Sequence, residues 1–91
     1  MIVRFFAGLR DLTHESELTL DTPARDVSEL TQILVSRYGE DLRGALVDPD
    51  GALRATAVIL VNGQNIRLDA GLATRLQAND DIAIFPLVAG G

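Results

Sequence analysis

The 91-residue chain contains no cysteine, no lysine, no tryptophan and a single histidine. Without cysteine there is no disulfide framework, no thiolate nucleophile and no thiolate-based zinc site. Without lysine there is no side-chain amine to receive an acyl group, and no phosphate-binding G-x-x-x-x-G-K-[ST] loop can be completed. All eight basic residues are arginine. They stand against thirteen acidic residues, for a formal charge of −5. A nucleic-acid binder needs a basic footprint, so no nucleic-acid partner is expected. No apolar run approaches the ~20 residues that span a membrane, so no membrane partner is expected either. The start, Met1-Ile2-Val3-Arg4, lacks a basic stretch followed by a long apolar run. No signal peptide is expected, and the cytoplasm is the expected compartment.

What is present suits one small domain over residues 1–91. A chain of this size buries only somewhat over ~60% of its unfolded surface, so its large apolar residues must share one core. The hydrophobic fraction of 47% is sufficient for that. Val3, Phe5 and Ala7 alternate with Arg4 and Phe6, which predicts a first strand over 2–7. Gly8 to His14 reads as a connecting turn. Leu18 and Leu20 alternate with Glu17, Thr19 and Asp21, a second strand that Thr22-Pro23 breaks. Asp26 and Ser28 are both candidate N-caps, and Glu29 follows Asp26 at capping-box spacing. Val27, Leu30, Ile33, Leu34 and Tyr38 then recur at helical spacing, predicting a helix over 27–38 that Gly39 ends.

Leu42, Leu46 and Val47 suggest a short helical turn before the turn sequence Asp48-Pro49-Asp50-Gly51. Thr56 to Val61 is the most strand-like run, and Asn62-Gly63 predicts a hairpin returning through Gln64 to Leu68. Gly71 to Leu76 reads as a loop or single turn, Asn79-Asp80 as another turn, and Asp81 to Phe85 as the last strand. Residues 86–91 remain as a flexible C-terminal Gly-Gly tail. The order is two strands, one main helix, two strands and a final strand. That predicts an α+β domain with a mixed sheet of about five strands packed on the helix.

Side-chain catalysis finds little support in this sequence. His14 is alone in a predicted loop, where a solvated histidine is the ordinary case. Asp48 and Asp50 lack calcium-loop spacing and its terminal glutamate. Asp80 and Asp81 are adjacent, so on a strand they point to opposite faces and do not pair around a metal. No metal site and no bound cofactor is therefore expected.

The end of the sequence is different. Pro86-Leu87-Val88-Ala89-Gly90-Gly91 closes on two glycines, which ordinary glycine usage of ~7% produces in under about 1% of chains. A frayed end is the bland reading, but Phe85, Leu87 and Val88 are too apolar for an indifferent tail. Glycine has no Cβ, so Gly90-Gly91 can lie extended in a channel too narrow for side chains. Pro86 cannot donate to a sheet ladder and is expected to end the strand there. The Gly91 carboxylate is ionised at neutral pH and must be activated before it can react, most simply as an acyl-adenylate. A sulfur nucleophile then leaves a thiocarboxylate, and an amine leaves an amide.

These residues resemble the MoaD/ThiS-type ubiquitin-like sulfur carriers, and among them the small subunit of molybdopterin synthase. The resemblance runs through Phe5-Phe6-Ala7, Leu9-Arg10 and Leu12. It continues in Val61-Asn62-Gly63 with Ile66, in Gly71-Leu72-Ala73-Thr74 and in Asp80-Asp81-Ile82-Ala83-Ile84-Phe85-Pro86. It closes on Val88-Ala89-Gly90-Gly91. It implies a β-grasp fold and adenylation of Gly91 by a separate E1-like enzyme of the MoeB/ThiF type, which uses the ATP. It also implies a working thiocarboxylate and a large molybdopterin synthase subunit of the MoaE type as partner. The chain is then a non-catalytic carrier. Leu87 departs from the family pattern, in which many members carry a second proline, and so points towards a different partner. The segment 42–53 also resembles more loosely assigned sulfur carriers and small archaeal modifiers. Delivery to cysteine or another sulfur metabolite, and conjugation to target lysines, therefore stay open.

The resemblance implies that the first and last strands lie side by side and parallel. Strand alternation then sets Phe6 and Phe85 together on the face the helix does not cover. Phe6, Phe85, Pro86, Leu87, Val88 and Ala89 are the expected partner-binding residues, with Gly90 and Gly91 as the reacting end. A loop covering the two rings is the alternative.

Overall fold

The computed structural model describes residues 1–21 and 23–87. The chain runs β1 (Ile2–Phe5), α1 (Leu9–Thr13), β2 (Glu17–Thr19), α2 (Val27–Tyr38), α3 (Glu40–Leu46), β3 (Ala57–Val61), β4 (Gln64–Asn65) and β5 (Asp81–Pro86). Short 3-10 turns at Ile66–Leu68 and Gly71–Ala73 lie between β4 and β5. The five strands form one mixed sheet in the order β2-β1-β5-β3-β4. β1 and β5 pair in parallel at its centre, and the remaining pairs are antiparallel.

The core lies between one face of this sheet and α2. Val3 and Phe5 of β1, Ile59 of β3, and Ile82 and Ile84 of β5 all point inward. Val27, Leu30 and Leu34 meet them from α2, and Leu42 and Leu46 from α3. α2 occupies the predicted span because both ends are chemically marked. The Asp26 carboxylate accepts the Glu29 N–H at 2.8 Å, and Glu29 reaches back to the Arg25 N–H. This satisfies donors that the first helical turn leaves unpaired. At the other end Gly39 takes a φ of +102° and donates to the Val35 carbonyl. That backbone conformation is open to glycine.

Several boundaries differ from the sequence reading, each for a local reason. β1 stops at Phe5, because Ala7 adopts a left-handed φ of +53° and the Phe6 carbonyl accepts the Leu9 N–H that starts α1. The predicted turn over Gly8 to His14 therefore contains a helical turn, which buries Leu9 against the core. The turn expected near Leu42 is the seven-residue α3, with Leu42 and Leu46 one turn apart on its buried side. β4 pairs through two residues only and then tightens into a 3-10 turn that buries Ile66. The hairpin before it is as predicted. Asn62 and Gly63 both have positive φ, as a tight two-residue turn between twisted strands requires.

The correction that matters most for the site concerns Pro86. It does not break the last strand: it lies within β5, opposite Ala57, and the Leu87 N–H still donates to the Thr56 carbonyl at 2.8 Å. Alternate residues of β5 face alternate neighbours. Phe85 and Leu87 bond towards β3, whereas Ile84 and Pro86 face β1. β1 has already turned away beyond Phe6, so the missing proline N–H costs no ladder bond.

Candidate functional site

The end of β5 brings together the sequence-predicted residues that fall in the described part of the chain. Phe6 donates its N–H to the Ile84 carbonyl at 3.1 Å and thus stands level with Phe85. The two rings meet edge to face, with centroids 6.1 Å apart and planes at 90°. Neither side chain belongs to the buried core: Phe6 is 43% exposed and Phe85 is half-buried. Val58 and Leu60 of β3 lie on the same open face, in register with Phe85 and Ala83. Beyond the rings, Leu87 is 57% exposed. An apolar strip therefore crosses the uncovered side of the sheet and reaches the last described residue.

Charged groups border the strip further down the same face. The Arg4 guanidinium contacts both carboxylate oxygens of Asp81 at 2.7 Å, and its Nε reaches Glu17 at 3.3 Å. The hydrogen bond to Asp81, and then the charge attraction to it, raise the Arg4 pKa above its ordinary value. These groups are about half exposed and screened by solvent, so they add little to stability. Their effect is to separate the polar end of the sheet face from its apolar end.

On the core side of the same strand end, a groove of about 210 Å³ is lined by Leu9, Leu46, Arg54, Ala57 and Pro86, among others. Pro86, half-buried here, connects this groove to the strip. Val88, Ala89, Gly90 and Gly91 lie outside the described residues, as does Thr22.

The other sequence candidates are ordinary surface chemistry. His14 is exposed and ends α1 in a left-handed conformation. Asp48 accepts the N–H groups of Asp50 and Ala52, which closes a turn. Asp80 bonds Asn62 and the Gln77 N–H, while Asp81 faces Arg4. Among the described residues no cluster of three metal-ligating side chains occurs, and no helix is long and apolar enough to cross a membrane. Two features were not foreseen: the exposed Leu68 and the backbone contacts of Arg67. An arginine between Ile66 and Leu68 in the predicted return strand carries no signal of such a role.

A parallel β1–β5 pair at the centre of a mixed five-stranded sheet, wrapped on one main helix, defines a ubiquitin-like β-grasp protein. The chain belongs to the ThiS family, which it matches over residues 3–91. It is 35% identical over 78 residues to a protein of Archaeoglobus fulgidus named "putative sulfur carrier protein", covering 86% of this chain and 88% of that one. It is 32% identical over 91 residues to small archaeal modifier protein 3 of Haloferax volcanii, covering 98% and 96%. Among solved structures it superposes on a chain of the Amycolatopsis orientalis BexX/CysO complex with a TM-score of 0.84 at 26% identity, covering 99% and 98%.

Proposed function

We propose that this chain is a sulfur carrier whose Gly91 carboxylate is adenylated and then converted to a thiocarboxylate. The carboxylate oxygen attacks the α-phosphorus of ATP on an E1-like partner and expels pyrophosphate. Sulfur at the oxidation level of sulfide (HS⁻) then attacks the acyl carbon, expels AMP, loses its proton and leaves the thiocarboxylate. The domain supplies no catalytic side chain for either step. It supplies a strand end hydrogen-bonded into the sheet as far as Leu87, an apolar surface for docking and two glycines narrow enough to enter a partner's channel. The reading is carried by one observation: the family match extends through Gly91, so the Gly-Gly end falls inside it. A relative of the same fold that is solved in complex with a second protein, BexX, supports a carrier working against a partner surface.

For the destination of the sulfur we propose molybdopterin, delivered as the small subunit of a synthase with a MoaE-type large subunit. A second reading is favoured by the similarity to a small archaeal modifier and to a CysO chain. In it the sulfur goes to cysteine or another sulfur metabolite, or the acyl group is joined to the lysines of other proteins. The absence of lysine here prevents chains built through its own side chains.

The chemistry is tested by intact mass after incubation with activating enzyme, ATP and a sulfur source. Deleting Gly91, or adding one residue after it, shifts the reacting carbon by roughly 3.3–3.6 Å of extended chain. Misplacement of even ~1 Å can cost about a hundredfold in rate. Sulfur gain should be lost while the fold persists. An extended chain that still gains sulfur at its end overturns the reading. Co-purification with an unblocked end separates the destinations: a large synthase subunit, a cysteine synthase homologue or lysine conjugates.

A further inference from the structure

Arg67 is exposed, yet its side chain turns back onto the sheet. Nη1 donates to the Ala57 carbonyl at 2.7 Å and Nη2 to the Arg54 carbonyl. Its own N–H is held by Asn65 Oδ1 at 2.9 Å, which fixes the turn from which the side chain departs. The Ala57 carbonyl needs an outside donor. In β3, Val58 and Leu60 are in bonded register with β5, so Ala57 faces the β4 side. β4 pairs only with Leu60 and Val61 and does not extend that far. The guanidinium fork thus stands where the next residues of a longer β4 would lie.

Residues 54–57 are also held from the opposite direction. The Arg54 N–H donates to the Leu46 carbonyl at 2.8 Å, and Arg54 Nε to the Gly44 carbonyl at 2.6 Å. This doubly held segment is the one that receives the end of β5. Ala57 pairs with Pro86, and the Thr56 carbonyl accepts the Leu87 N–H, the last sheet bond among the described residues. Among the described residues Arg67 forms no ion pair with a carboxylate; its donors are used on backbone carbonyls.

We infer that Arg67 is a positioning residue. It completes the unpaired edge of β3 and so fixes the place at which β5 hands over to the reacting end of the chain. Its consequence for sulfur loading rests on the carrier reading above; its consequence for the strand end does not. A planar guanidinium can bond two carbonyls at fixed angles, whereas an ammonium is a single point donor. Arg67→Lys should therefore retain only part of the effect.

The test is site-resolved amide hydrogen exchange on the full chain, with the Leu87 amide as reporter and the Phe5 amide, which bonds Ser16 on the side of β1 away from β5, as the control. Arg67→Ala should speed exchange at Leu87 by about tenfold or more and leave Phe5 within about twofold. Arg67→Lys should fall between. Unchanged Leu87 exchange in a folded Arg67→Ala protein overturns the inference. If Arg67→Ala loosens Phe5 equally, Arg67→Lys decides: a change confined to Leu87 supports the clamp, and a uniform or absent change overturns it. In parallel, activation kinetics should show KM for the carrier raised several-fold, with kcat less affected. Wild-type protein that is activated, with an Arg67→Ala protein loosened at Leu87 but activated equally well, refutes the positioning role. Wild-type protein that no activating enzyme accepts refutes the carrier reading, and leaves the exchange result to decide the clamp on its own.

Discussion

The two faces of β5 differ sharply in what covers them. Ile82 and Ile84 point into the core and are 0% and 1% exposed, whereas Ala83 and Phe85, one residue along, are half-buried on the open face. The inward residues contribute hydrophobic stabilisation of about 1.5–3 kcal/mol each when fully buried. The outward ones form a strip with Phe6, Val58 and Leu60 whose apolar area is available to another protein. Because side chains alternate along a strand, the core residues and the proposed docking residues are interleaved in sequence yet separated in space. A substitution at one position should therefore report on one role and spare its neighbour.

The sharpest test of that separation is Ile84→Ala. It removes a fully buried branched side chain from the centre of the sheet and should cost 2–5 kcal/mol, read as a loss of denaturation midpoint in urea. Partner binding by the molecules that remain folded should be unaltered. A marked loss of affinity at constant folded fraction breaks the division. Phe85→Ala should do the reverse. We expect about 2 kcal/mol or more in affinity for the activating partner, as for an aromatic hot spot, and a smaller loss in stability of about 1 kcal/mol. Titration calorimetry and thermal melting on one preparation measure both. A variant that binds normally but melts early assigns Phe85 to the core side of the comparison.

The smallest expected effect lies away from the strip, on the core side. Tyr38 packs edge to face on Phe5 at 5.5 Å, donates its hydroxyl to Glu15 and lies under Arg37. Burial, reinforced by the bond to the Glu15 carboxylate, raises the phenol pKa above its usual 10.0. A pKa raised in the folded state adds stability that is fully present below the unfolded value and is lost as pH climbs through the folded one. Wild-type stability should thus decline as pH rises above about 10, and Tyr38→Phe should remove that component of the decline. At neutral pH the variant should lose about 1 kcal/mol with the hydrogen bond. Parallel alkaline curves for the two proteins would refute the assignment.

The sequence by itself determined the elements whose signals are local. Asp26 with Glu29 and Gly39 mark the two ends of α2, and Asn62-Gly63 can close only a tight hairpin. Alternation in Val3/Phe5 and Ile82/Ile84 reveals which residues of each strand are buried. Given the β1–β5 adjacency that the family resemblance implies, the same alternation sets Phe6 beside Phe85. The Gly-Gly ending and the motifs before it are also written in one dimension, and they carry the family. What tertiary structure decided is where chemistry depends on a neighbour's length. Pro86 reads as a breaker because a proline lacks a donor. Whether that donor is needed depends on where β1 stops, and β1 stops one strand position short of requiring it. Arg67 falls within the predicted return strand Gln64 to Leu68, and nothing in its own surroundings in sequence reports that β4 is two residues long and leaves the Ala57 carbonyl without a strand partner. Local propensity and periodicity act over a few residues, whereas backbone donors and acceptors at a sheet's end are matched across strands brought together only by folding.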